Sequence, residues 1–283
     1  MTAPARRRVT SRVVVLDRAL ERFPVFRLSD SADDAAIDFA PDTGGRWRVL
    51  PAPGERLPGT FDQDVYVELF RRFHESGSPA DGAISFTLHA FLRSMGRRVD
   101  GRTYEQLRSA LTRLLKTTLE SDRAYHDAAA GTPVTASFSI LSSVQIDRRR
   151  FAEREQLALF ATLTNNEPGD ARVTISTALR ANLAAGHTVA LSAARYLALS
   201  SPVARRIYRL LELVRPESGN TWRVPLEQLA GQLPLVQRYP SHLQRVLQPA
   251  HEMLVTSGVL RSADFVQEAR RWYVDYVLGP KPA

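Results

Sequence analysis

Two stretches of this sequence carry polar side chains at spacings suited to reading the edges of base pairs. Over 101–116, Arg102, Gln106, Ser109, Arg113 and Lys116 recur at steps of three and four opposite a row of leucines, which places them on one helical face. Over 240–254, Ser241, Gln244, Arg245 and Gln248 form a matching stripe. Arginine grips guanine bidentately and glutamine does the same for adenine, so the second stripe is expected to carry the discrimination. A merely solvated helix face would show the same spacing, and the weight of the reading therefore falls on its surroundings. Arg97, Arg98, Arg123, Arg261, Arg270 and Arg271 fall at turns and in strand-like segments, where guanidinium groups suit phosphate contacts. Tyr239 and His242, at the entry to the second stripe, either touch nucleic acid or serve to cap and pack.

Other chemistries lack their residues. The six histidines form no close ligand pair and there is no cysteine, so metal sites, thiol nucleophiles and disulfides are not expected. Lys116 and Lys281 sit in no phosphate-binding glycine loop, and no nucleophile-elbow serine occurs. The pair Asp62 and Asp64 has the spacing of two metal-binding carboxylates. It lies in the first turn of an expected helix, however, where acidic side chains favour the helix dipole. The chain reads as a binding protein with no cofactor, and not as an enzyme.

Hydrophobic periodicity supplies the elements that hold the stripes. A Thr60/Gln63 capping box opens a helix with Val65, Leu69, Phe70 and Phe73 on one face. A strand Ile84–Phe86, a short helix ending at Gly96, and a helix with Leu107, Ala110, Leu111 and Leu114 follow. The alternating segment 134–146 is expected to return as the second strand of a hairpin. After Ser201 and Pro202 the same order recurs, ending in a hairpin over 259–277. Val65, Phe86, Leu88, Phe91 and Met95 match Val203, Val224, Leu226, Leu229 and Leu233 at a constant offset, and Leu107 matches Leu243 with a two-residue slip. Segments 157–191 read as extra strands and a short helix at 177–185. Pro249 is expected to kink the last helix after Gln248, leaving Ala250, Met253 and Leu254 in the core; the alternative is a helix that starts later. Arg205 and Arg206 are expected to cover the scaffold helix of the second half.

The fold class that follows is α+β: two tandem winged-helix domains, a helix-turn-helix variant, related as an internal repeat. Residues 1–57 read as an Arg-rich, extended N-terminal arm with short strands and no core of its own, 58–180 as the first domain with extra strands, and 181–283 as the second. The 283 residues are enough for two cores. Lysine occurs only twice, so 36 of the 38 basic residues are arginine, and the net charge of +8 points to a polyanionic partner. The apolar run after Arg6, Arg7 and Arg8 is too short for a signal or a membrane span, and a cytoplasmic protein is expected.

Four strings in order resemble the replication initiator protein A family, relatives of the iteron-binding plasmid initiators built from two winged helices. "LPGTFDQDVYVELF" (57–70) is similar to that family's entry into its first winged helix, and "GRTYEQLRSALTRLLKTTLES" (101–121) to its third helix and following strand. "SSPVARRIYRLLE" (200–212) resembles the opening of the second domain, and "HLQRVLQPAHEML" (242–254) the helix with a proline before alanine. The resemblance implies binding of double-stranded DNA at direct repeats in a plasmid or secondary-replicon origin. It also implies opening of adjacent AT-rich DNA and recruitment of the host replication initiator and replicative helicase. Members of the family switch between an initiating monomer and a repressing dimer, so a homodimer is implied as well. The competing readings are a winged-helix transcriptional repressor that binds an operator as a symmetric dimer, and an RNA-binding or repair accessory protein.

Overall fold

The computed structural model describes residues 13–29, 35–146, 171–235, 237 and 239–281. Arg6, Arg7 and Arg8, and residues 157–170 of the expected extra strands, lie outside the described residues. The N-terminal segment carries short strands, as expected, and packs them into the body of the protein. It forms β1 (Val13–Asp17), α1 (Arg18–Glu21), β2 (Ile37–Phe39) and β3 (Arg46–Leu50). Val14, Leu16, Leu20, Phe23, Trp47 and Val49 are buried, and the Trp47 indole N–H donates to the Pro24 carbonyl at 2.9 Å. The strands' period of two buries one face only when strands from elsewhere in the chain complete the sheet. Those strands come from both halves of the molecule, so this segment is part of the shared core.

In the first half, α2 (Thr60–Glu75) starts one residue earlier than the capping box at Thr60 suggested: Gly59 is the cap, and Asp62 reaches back to accept its N–H at 2.6 Å. β4 (Ala83–Phe86) and α3 (Leu88–Ser94), capped by Thr87, lead to α4 (Gly101–Lys116), where Asp100 accepts from the Thr103 N–H at 2.9 Å. The expected hairpin is two structures. β5 (Thr118–Asp127) pairs with β6 (Thr132–Phe138), and both join β2 and β3 in a sheet of order β2-β3-β5-β6. The chain then breaks at Ser139–Ile140. β7 (Leu141–Ile146) enters another sheet, in which β8 (Ala171–Ile175) lies between β4 and β7. Alternation carries through 134–146 without marking this break, because Val134, Ala136, Phe138, Ile140, Val144 and Ile146 keep one parity across it. α5 (Thr177–Ala184) follows.

β9 (Thr188–Ser192) pairs antiparallel with β1 and leads through α6 (Ala193–Ala198) into the second half. Here Ser201 accepts from the Ala204 N–H and Pro202 takes the first position of α7 (Pro202–Ser218). β10 (Thr221–Pro225), α8 (Leu226–Gln232), α9 (Pro240–Thr256), β11 (Leu260–Glu268) and β12 (Arg271–Leu278) complete the unit. Helix α9 is continuous through Pro249, with Leu243, Leu247, Ala250 and Leu254 buried, which removes the later-starting alternative. The three-stranded sheets β4-β8-β7 and β10-β12-β11 share one antiparallel order, each with its last strand in the middle. Of the position pairs aligned from the sequence, those from Val65 and Val203 to Leu107 and Leu243 are buried in both halves, except that Ile84 is buried while its counterpart Trp222 is half-buried. The β5–β6 hairpin lies outside these two three-stranded sheets, paired with β3.

Two carboxylates join the halves. Glu21, fully buried on α1, accepts from both Arg206 (3.1 Å) and Arg209 (2.7 and 2.8 Å) of α7 and from the Tyr66 hydroxyl of α2 at 2.9 Å. Burial acts to raise the Glu21 pKa, but Arg209 and Arg206 outweigh it and hold the carboxyl below its ordinary range. Arg206 therefore does not cover the scaffold helix from outside; it lies inside the joint. Asp64 of α2 pairs with Arg97 at 2.7 Å, with Arg205 of α7, and with the Tyr196 hydroxyl at 2.9 Å. Breaking such a buried pair costs about 3–5 kcal/mol, because the remaining charge is left without compensation. Asp17, where β1 meets α1, accepts from Tyr125 and Asn182, and burial pushes its pKa up to about 6.

Candidate nucleic-acid interface

The inner face of α9 is anchored by Leu243, Leu247, Ala250 and His251, and this fixes which residues point away. Ser241, His242, Arg245 and Gln248 are exposed along the first two turns. Arg245 has no hydrogen-bond or ionic partner among the described residues. Gln248 donates to Glu252 at 2.9 Å, a contact one turn on that an acceptor on a base would have to displace. Gln244 is half-buried and its amide nitrogen is enclosed without a partner, so it sits at the margin of the stripe rather than at its centre. Beneath the helix, His251 meets the Tyr276 hydroxyl of β12 at 2.8 Å, and burial depresses its pKa to about 4. The imidazole is thus neutral at neutral pH and serves as part of the floor that carries α9.

The first half holds its cations differently. Arg113 is not a groove-facing residue: its guanidinium makes two bonds, at 2.8 and 2.9 Å, to Asp62, and the side chains are 23% and 2% exposed. Lys116 pairs with Glu55 at 2.7 Å. Arg97 lies 42% exposed on the buried Asp64. Sequence spacing alone put Arg113 and Lys116 in one set with Arg102, Gln106 and Ser109, and Arg97 among the phosphate contacts, because the carboxylates that claim them lie far away in the chain. Arg102, Gln106 and Ser109 remain exposed on α4, and Arg98, 89% exposed, is 3.5 Å from Asp100. The pair Asp62 and Asp64 is fully occupied by arginines, which answers its spacing with a structural role.

At the far edge of the second half, β11 and β12 are joined by the two-residue turn Ala269–Arg270. Ala269 lies in the left-handed region at φ 53°, which costs an alanine roughly 1–2 kcal/mol. That turn projects Arg270 and Arg271 from the wing, both exposed and without a partner among the described residues. Arg261 is likewise exposed on β11, whereas the exposed Arg123 is 3.5 Å from Asp122. One residue outside the sequence-based set belongs with these: Arg93 of α3 is exposed and unpartnered among the described residues, beside Arg97 and Arg98. Its signal was available, since the α3 face opposite Leu88, Phe91 and Leu92 must look outward.

The sequence profile of the replication initiator protein A family matches residues 16–253. The chain belongs to the replication initiator protein A family. A protein of Wigglesworthia glossinidia brevipalpis named for replication is 31% identical over 94 residues, a stretch that covers 32% of this chain and 33% of that relative. Domains 2 and 3 of RctB share the fold at a TM-score of 0.56 and 11% identity, covering 96% of this chain and all of that one. The Pi initiator protein, solved in complex with iteron DNA, is similar at a TM-score of 0.52 and 9% identity, again over 96% of this chain and all of that one. Among the described residues of this family member no helix is long and apolar enough to cross a membrane, and no group of three His, Asp or Glu could hold a metal ion.

Proposed function

We propose that this replication initiator protein A family member binds double-stranded DNA sequence-specifically at the direct repeats of a plasmid or secondary-replicon origin. In this reading it opens adjacent DNA and brings in the host initiator and the replicative helicase. The observation that carries the proposal is the start of α9, where the exposed, unpartnered Arg245 stands between Ser241 and Gln248 opposite a fully buried face. The wing arginines Arg270 and Arg271 supply a phosphate contact beside it. The complex of the Pi initiator with iteron DNA supports the same use of a related fold.

The two halves, divided near residue 181, are an internal repeat of one winged-helix unit, with the N-terminal segment serving both. The protein works without a cofactor or catalytic step of its own, in the cytoplasm, as a monomer or a homodimer. The test is a binding titration of the full chain on duplexes of its own origin repeats and on scrambled duplexes, at salt from about 50 to 200 mM. Affinity is expected to favour the repeats and to fall about 10³-fold or more over that range, in proportion to the phosphates contacted. Equal affinity for both duplexes, or no dependence on salt, overturns the proposal.

A further inference from the structure

Tyr239 is the residue that neither capping nor packing explains. It occupies the N-cap of α9, a position where Ser, Thr, Asp or Asn is favoured because the side chain accepts an orphan N–H. In this molecule Asp17, Thr87, Asp100, Ser192 and Ser201 all do that for their helices. The Tyr239 side chain makes no such bond. It is also 71% exposed, the highest value among the exposed large hydrophobic residues. The ring is not loose: His242, one turn on, meets it edge to face at 5.7 Å and 77°. Pro240 at the first helical position limits the backbone between them. The N-cap of α4 is Asp100, a carboxylate committed to the cap and repelled by phosphate.

A helix that reads the major groove does so with its N-terminal residues. An oriented aromatic ring at that end offers an apolar surface, and the apolar feature of the major groove is the thymine C5-methyl group. We infer that Tyr239 is a specificity-determining residue that packs its ring, braced by His242, against a thymine methyl of the bound site. This rests on the proposed sequence-specific binding and adds the base that α9 selects at its entry.

The probe is a duplex selected by the full chain from a random-sequence pool, then remade with deoxyuridine in place of each thymine in turn, a change that removes only the methyl group. At one position the substitution is expected to weaken the wild-type chain about four-fold, the effect of exposing one methyl. Tyr239→Ala is expected to weaken the unmodified duplex at least as much and to be indifferent to deoxyuridine at that position. Tyr239→Phe, which keeps the ring, is expected to retain the sensitivity. Unchanged thermal unfolding of both variants separates the effect from a folding defect, since the ring lies in solvent. Equal sensitivity of Tyr239→Ala and wild type to every deoxyuridine overturns the inference while leaving sequence-specific binding intact. A pool that yields no preferred sequence overturns both.

Discussion

Helices α4 and α9 each pack against a three-stranded sheet of the same strand order, yet they commit their charge in opposite ways. On α4 and the turn before it, Arg113, Lys116 and Arg97 are held by Asp62, Glu55 and Asp64, so that half of the basic surface is committed to the fold. On α9, Arg245 is free of any partner among the described residues, and the helix is carried from below by apolar side chains and a neutral histidine. The difference shows that a basic residue on a recognition-type helix means little until its acidic partners are placed. Arg113 and Arg97 fasten α4 and the turn before it to α2, and the α7 arginines Arg205, Arg206 and Arg209 are likewise held by buried carboxylates, whereas Arg245 on α9 has no partner among the described residues.

The sharpest way to break this comparison is to delete one arginine from each helix. Arg245→Ala is expected to cost about 1–3 kcal/mol on the preferred duplex and little on random DNA, with unchanged stability, because a bidentate base contact is lost. Arg113→Ala is expected to do the reverse. It strands Asp62 and lowers unfolding stability by about 2 kcal/mol, less than for a fully buried pair because Arg113 is partly solvated. Its effect on DNA affinity is expected to be small. Urea unfolding and binding titrations on both variants check this; a binding loss for Arg113→Ala equal to that of Arg245→Ala would merge the two helices into one class.

Acid should separate the units next. His251 titrates at about 4 in the fold and near 6.5 when unfolded, so its contribution is intact above pH 6.5 and declines as pH falls toward 4. Between pH 7 and pH 5 the loss is about 2 kcal/mol. The aligned position on α4 is Leu115, which carries no charge at any pH. His251→Leu is therefore expected to flatten that part of the stability profile, as measured by urea unfolding at the two pH values. An undiminished acid loss in the variant would place the sensitivity elsewhere.

The smallest expected effect tests the wing. Arg270→Ala should weaken preferred and scrambled duplexes alike and lower the slope of log affinity against log salt by about 0.9, the signature of one phosphate contact. A loss confined to the preferred duplex would move Arg270 from holding the backbone to reading bases.

Local pattern was sufficient for much of this molecule. The apolar faces of α2, α4, α7 and α9, the Ser201 cap, and the outward stripe on α9 follow from a 3.6-residue period and from cap chemistry, which act within a few residues. The expectation that the two halves share one order rests on the same period, read as a constant offset between apolar positions. Tertiary structure alone decided the rest. Where the arm's short strands β1 and β3 would pair was not legible, because their partners, β9 and β5, lie far along the chain and an alternating strand does not name its neighbour. The split between β6 and β7 is a change of sheet within an uninterrupted alternation. Arg113 shared the spacing of the α4 stripe, and only the approach of Asp62, 51 residues away, turned it from a groove contact into a clasp. Periodicity determines which way a side chain faces, but what it meets there depends on chain closures too distant for any local pattern to encode.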